Sequence, residues 1–151
     1  MTKPQAGLFI TFEGIEGCGK STQTKAVADY FEENKFPFIV TREPGGTLIS
    51  EKIREILLDN ANKEMNPETE LLLYMASRSQ HVGTKIKPAL DEGKHVICDR
   101  FYDSTLAYQG AARDLDKEFI DLLIDFATYS TSPDITFLLD ITVDESEERI
   151  C

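Results

Sequence analysis

Tryptophan is absent from the 151 residues, histidine occurs twice and cysteine three times. The three cysteines (Cys18, Cys98, Cys151) show no CxxC spacing and cannot make an even disulfide framework. A reduced, cytoplasmic setting fits that usage, and no zinc site is expected. No apolar run approaches the roughly 18 residues that a membrane-spanning helix needs, so no membrane partner is expected. Residues 1–15 hold one lysine and no long apolar stretch, which argues against a secretory signal. Positive charge is also scarce: 16 Lys and Arg stand against 27 Asp and Glu, a net charge of −11. Residues 101–151 carry 12 acids against 3 bases, whereas residues 1–100 carry 15 against 13. Such a chain offers no basic face to a nucleic-acid backbone. It still admits a small phosphorylated ligand, for which a few placed bases suffice.

What remains is an ordinary globular mixture, 41% hydrophobic and 28% charged, with a length that corresponds to one domain at roughly 100–200 residues each. Short apolar runs alternate with helical periods, the pattern of a parallel α/β sheet. Strands are predicted at Leu8–Phe12, Phe38–Thr41, His95–Cys98 and Ile135–Leu139. A helix is predicted from Lys20 to Glu33, with Val27, Tyr30 and Phe31 at helical spacing. Another follows Pro44-Gly45-Gly46, marked by Leu48, Ile49, Ile53, Ile56 and Leu57. Asn66-Pro67 reads as an N-cap followed by proline at the first helical position. That helix runs to about His81, and a second helical stretch continues to Glu92. Asp116 to Thr128 is helical, with Phe119, Leu122, Leu123 and Phe126 on one face. Thr142 with Glu145 resembles a capping box opening one more helix.

Gly14-Ile15-Glu16-Gly17-Cys18-Gly19-Lys20-Ser21 matches G-x-x-x-x-G-K-[ST], and a strand before it and a helix after it supply the confirming context. The glycines let successive N–H groups turn toward phosphate oxygens. The following helix adds its positive end. Lys20 is expected to reach the β- and γ-phosphates of a nucleoside triphosphate, and Ser21 to ligate Mg²⁺. Cys18 is read as an incidental small residue of the loop.

The cradle does not name the phosphoryl acceptor. Four of the six arginines are more informative: Arg42 and Arg100 follow strands, Arg54 lies on the helix after the Pro-Gly-Gly break, and Arg78 lies one turn beyond Tyr74 on the same face. Guanidinium forks hold phosphate bidentately and stay charged. For any one of them a surface ion pair is the ordinary alternative. As a set they suit a nucleoside-monophosphate kinase, which must hold two anionic phosphates together.

The chain resembles the bacterial-type thymidylate kinases. The resemblance rests on Phe12-Glu13-Gly14 through Thr22, on Thr41-Arg42-Glu43-Pro44-Gly45-Gly46-Thr47, on Tyr74-x-x-x-Arg78, and on Asp99-Arg100-Phe101-x-x-Ser104-x-x-Ala107-Tyr108-Gln109-Gly110. It implies a P-loop NTPase-type doubly wound parallel sheet of order 2-3-1-4, with helices on both faces and a fifth strand missing. It implies ATP-dependent phosphorylation of dTMP to dTDP, with Mg²⁺, and a homodimer formed by helix packing, for which Leu71-Leu72-Leu73 offers an apolar face.

Residue roles carry over on the matched motifs. Residues Gly14, Ile15, Glu16, Gly17, Cys18, Gly19, Lys20, Ser21 and Thr22 form the ATP-binding loop. Lys20, Arg100, Glu16 and Asp99 are the catalytic set. Arg42 and Arg54 hold the dTMP phosphate, with Glu43 and Pro44 beside them. Arg100 bridges the acceptor phosphate and the transferring group. Glu16 faces the sugar end of dTMP and the metal. Tyr74 stacks on thymine where the family usually has phenylalanine, and Arg78 bonds the thymine O4. Ser104, Thr105, Tyr108 and Gln109 line the base and sugar pocket. Ser21 and Asp99 serve the metal. Asp99 and Asp140 both end strands, and the motif around Arg100 selects Asp99. For Tyr74 and Tyr108 alone, a packed core aromatic is the ordinary alternative.

The whole of 1–151 is expected to be one nucleoside-monophosphate-kinase domain that stops before the family's basic lid and last strand. That expectation carries a preserved dTMP site, weakened ATP binding and low turnover. The alternatives are a kinase for another nucleotide or nucleoside, and a lid-less, weakly catalytic nucleotide-binding fragment.

Overall fold

The computed structural model describes residues 7–105 and 117–150, of which Ser104, Thr105 and Lys117 only by their helical backbone. Tyr108 and Gln109, expected in the base pocket, lie outside the described residues. In chain order the elements are β1 (Phe9–Glu13), α1 (Lys20–Glu33), β2 (Phe38–Arg42), α2 (Leu48–Leu58), α3 (Pro67–His81), α4 (Lys87–Asp91), β3 (His95–Asp99), α5 (Tyr102–Thr105), α6 (Lys117–Thr128), β4 (Ile135–Leu138) and α7 (Val143–Ile150). A π-helical turn, Val82–Ile86, joins α3 to α4, so the helical stretch reaches Asp91, one residue short of the Glu92 expected from the sequence. No helix among the described residues is long and apolar enough to cross a membrane.

Two compact units form. One contains residues 7–41, 89–101 and 133–150; the other contains 42–88, 102–105 and 117–132.

In the first unit β1 is buried along its whole length. Its apolar residues Phe9, Ile10 and Phe12 fall on both faces, as in a strand covered on both sides. It pairs in parallel with β3, Phe12 opposite Asp99, and with β4, Glu13 opposite Leu138. The strand order is β2-β3-β1-β4, the order implied by the resemblance. Parallel pairing puts the chain exits of β1 and β3 at one edge of the sheet, so the glycine loop and the Asp99-Arg100 turn start side by side.

Helix α1 packs Val27, Ala28 and Phe31 on a core of Ile10, Phe12 and Ile97. Tyr30, spaced to join them, is 56% exposed instead. It neighbours Phe31 around the helix, and only one of the two fits the inward stripe. At the start of α7 the predicted capping box is made. Glu145 N–H donates to Thr142 Oγ1 at 3.2 Å, and Thr142 N–H donates to Glu145 Oε2 at 2.9 Å.

In the second unit Leu71 and Met75 of α3 pack on Ile120, Ile124 and Ala127 of α6, with Tyr74, Tyr102 and Leu123 against them. The α6 stripe that stands out in the sequence points the other way: Phe119, Leu122 and Phe126 are 54%, 69% and 78% exposed. The helix carries two apolar stripes, and the one with smaller side chains faces the core. The Leu71-Leu72-Leu73 run is divided in the same manner, Leu71 buried and Leu72 exposed. Pro67 opens α3 as predicted, but Asn66 at the N-cap position makes no side-chain capping bond.

Candidate active site

Three glycines with positive φ, Gly14, Gly17 and Gly19, shape the turn after β1. Gly14 has φ +143°, and a Cβ there would lie 2.5 Å from the carbonyl oxygen of Leu139. Gly19, with φ +94°, sits in the left-handed region at the head of α1, where a side chain would meet nothing within 4 Å. No side chain caps α1, and no acidic residue occupies its first turn. The N–H groups at the positive end of the helix are therefore not met by a capping side chain. Lys20, the first residue of α1, is only 7% exposed. Its Nζ donates to the carbonyls of Gly14 at 2.8 Å and Ile15 at 2.7 Å, and lies 3.5 Å from Cys18 Sγ. The ammonium is thus pinned inside the glycine turn. Helix α7 holds the same loop from outside. Ser146 Oγ donates to the Glu16 carbonyl at 2.7 Å and Arg149 Nη1 to that of Gly17 at 3.3 Å.

The turn after β3 stands next to this cradle. Ser21 Oγ lies 3.5 Å from Asp99 Oδ2. Of the two aspartates that follow strands, Asp99 is the one beside the loop hydroxyl. A carboxylate and a hydroxyl are hard oxygen donors of the kind that suits Mg²⁺, so the pair fits the metal expected there. Arg100 has φ +68°, a left-handed conformation costing about 1–2 kcal/mol for a residue with a Cβ. Its N–H donates to the Phe12 carbonyl at 2.9 Å. The next N–H, of Phe101, donates to Glu13 Oε1 at 2.7 Å.

The second unit gathers the remaining charges. Arg78 Nε donates to Glu43 Oε2 at 2.7 Å, and His81 Nδ1 lies 3.0 Å from Glu43 Oε1. All three side chains are buried. Burial alone would raise the Glu43 carboxyl, but the Arg78 charge, with His81, outweighs it and holds the group below its ordinary range. Burial pushes the Asp103 carboxyl up, opposed in part by Arg78, and the Tyr102 phenol is raised by burial as well. Tyr74 is half-buried against the Leu71–Met75 cluster.

Around the Pro44–Gly46 turn, Arg54 Nη1 donates to the Pro44 carbonyl at 2.8 Å and Arg42 Nη2 to Glu51 Oε2 at 2.9 Å. Glu51 Oε1 accepts from Gly46 N–H at 2.7 Å, and Lys85 Nζ donates to the Gly46 carbonyl at 2.9 Å. The Gly46 N–H, together with Arg42 and Arg54, lowers the Glu51 carboxyl. Arg42 and Arg54 are thereby tied to one turn.

The expected residues fall into two groups. The first unit holds Gly14 to Thr22, Asp99 and Arg100; the second holds Arg42, Glu43, Pro44, Arg54, Tyr74 and Arg78. Sequence reasoning passed over Glu13, Glu51, His81, Lys85, Ser146 and Arg149. Glu13 and Glu51 carried a usable signal, a carboxylate at a strand end and one five residues from Gly46 of a glycine turn. Nothing local marks Ser146 or Arg149, which act across more than a hundred residues of sequence.

A family model described as thymidylate kinase matches residues 12–151. A thymidylate kinase of Desulfosudis oleivorans is 52% identical over 142 residues, covering 94% of this chain and 66% of that protein. One of Lactobacillus acidophilus is 54% identical over 145 residues, covering 95% and 67%. The chain spans about two thirds of the length of these curated relatives. The crystal structure of a thymidylate kinase from Ehrlichia chaffeensis superposes with a TM-score of 0.82 at 43% identity, covering 96% of this chain and 77% of that one.

Proposed function

The chain belongs to the thymidylate kinase family, and from that membership we propose that the protein transfers the γ-phosphoryl group of ATP to dTMP, giving dTDP. The observation that carries this reading is the Lys20 cradle with Ser21 beside Asp99 and with Arg100 on the same turn. That set matches what phosphoryl transfer asks of a protein, which is positioning and charge stabilisation rather than covalent chemistry.

The residues from Gly14 to Thr22 hold the ATP phosphates with N–H groups, the α1 terminus and the Lys20 ammonium. Ser21 and Asp99 would hold Mg²⁺, which would offset the charge of the phosphates. Arg100 stabilises the transferring group, and Glu16 faces the sugar end of the acceptor and the metal. In the second unit Arg42 and Arg54, anchored at the Pro44 turn, take the dTMP phosphate, with Glu43 and Pro44 behind them. Tyr74 stacks on the thymine ring, and Arg78, oriented by Glu43, bonds its O4. Ser104, Thr105, Tyr108 and Gln109 complete the pocket. The protein acts as a homodimer in the cytoplasm, and the outward stripe of Phe119, Leu122 and Phe126 supports the dimer because solvent exposure of three large apolar side chains on one helix is costly. A coupled ADP-release assay with dTMP, dUMP, dGMP and thymidine as acceptors tests the reading. Preference for dTMP supports it; equal use of thymidine overturns it.

A further inference from the structure

Glu13 ends β1 with its side chain 4% exposed. A buried carboxylate is costly unless its oxygens find donors, and Oε1 finds the Phe101 N–H at 2.7 Å. That donor belongs to the residue after Arg100, whose φ of +68° is disfavoured for any residue with a Cβ. Three further contacts converge on the same turn. Arg100 N–H is held by the Phe12 carbonyl at 2.9 Å, the Arg100 carbonyl accepts from Cys98 Sγ at 3.1 Å, and the Phe101 ring packs edge-on against Phe9 at 4.9 Å. A left-handed non-glycine persists only where its surroundings over-determine it. Among these restraints the Glu13 bond, at 2.7 Å, is the shortest hydrogen bond.

We infer that Glu13 is a positioning residue for phosphoryl transfer: its carboxylate, by accepting from Phe101 N–H, locks Arg100 in the left-handed conformation and so aims both Asp99 and Arg100 from the end of β3. Glu13 touches no reacting atom in this role. The inference rests on the dTMP kinase reading for its catalytic consequence and on the turn geometry for its structural one. What the turn needs is an acceptor at that place, so a neutral acceptor of the same length serves and a shorter carboxylate does not.

The test compares Glu13→Ala, Glu13→Gln and Glu13→Asp in the purified protein. Glu13→Ala is expected to speed exchange of the Phe101 amide more than about tenfold while Ile97 in β3 stays protected. It is expected to lower kcat by up to about 10²-fold, the scale of a misplaced catalytic group, and to weaken Mg²⁺–ATP binding while the dTMP KM stays within about threefold. Glu13→Gln restores exchange and kcat to near wild type. If Glu13→Ala does not fold, Glu13→Asp carries the same expectations, being one methylene too short. An unchanged kcat with an exposed Phe101 amide overturns the inference, and so does a loss in Glu13→Gln equal to that in Glu13→Ala. Absence of dTMP phosphorylation by the wild-type protein defeats the functional reading instead. Amide exchange and Mg²⁺–ATP affinity then decide the positioning role by themselves.

Discussion

Glu43 and Arg78, 35 residues apart in sequence, meet at 2.7 Å with both side chains buried, and His81 closes on the other carboxylate oxygen. Removing one partner of a buried pair is strongly destabilising, by about 3–5 kcal/mol. We expect Glu43→Ala to lose stability on that scale in urea unfolding, and Glu43→Gln less, because an amide oxygen still accepts. Folding holds the Glu43 carboxyl below its ordinary 4.5, so the unfolded chain takes up this proton first as pH falls. The stabilisation is complete above pH 4.5 and drains away as pH drops through the lower folded value. The unfolding midpoint of Glu43→Gln should therefore change less between about pH 5 and 3 than that of wild type.

The loop glycines make separable demands. Gly14→Ala meets the Leu139 carbonyl at 2.5 Å on top of an unfavourable φ, whereas Gly19→Ala meets nothing. Gly19→Ala should cost about 1–2 kcal/mol from backbone strain alone, and Gly14→Ala clearly more. Chemical denaturation of the two variants side by side checks the order.

Much of this was legible before any coordinates. The cradle could be read because a P-loop is local: glycines, lysine and serine act within eight residues of one another. The strand order followed from the resemblance, and the strands themselves from short apolar runs, of which those of β1 and β3 are buried. The orientation of α6 was not legible, because Ile120, Ile124 and Ala127 make an inward stripe no more apolar than Phe119, Leu122 and Phe126. Only packing against Leu71 and Met75 chooses between them. Glu43 could be placed near the acceptor by motif, but its partners Arg78 and His81 lie on a separate helix. No periodicity records that ion pair.

If Tyr74 stacks on thymine as proposed, its ring rather than its hydroxyl makes that contact. Tyr74→Phe should leave the dTMP KM within about twofold. Loss of the ring in Tyr74→Ala should raise it by about 10- to 100-fold, since stacking on a base is worth about 1–3 kcal/mol. Steady-state kinetics at saturating ATP separates the two outcomes.

Phe126 and Leu122 are 78% and 69% exposed. If this stripe joins two copies, Leu122→Glu with Phe126→Glu should convert a dimer to a folded monomer in sedimentation equilibrium. Unchanged association of the double variant would place the contact elsewhere.

If the protein is the kinase proposed, Lys20 serves the transfer directly; its ammonium is fixed by the Gly14 and Ile15 carbonyls inside the glycine turn. Transfer of label from γ-³²P-ATP to dTMP, run with wild type and Lys20→Met together, is the most direct measurement. Labelled dTDP should form with the wild-type protein and fall by at least about 10²-fold in Lys20→Met. Equal labelling by both proteins, or transfer to thymidine as readily as to dTMP, would contradict it.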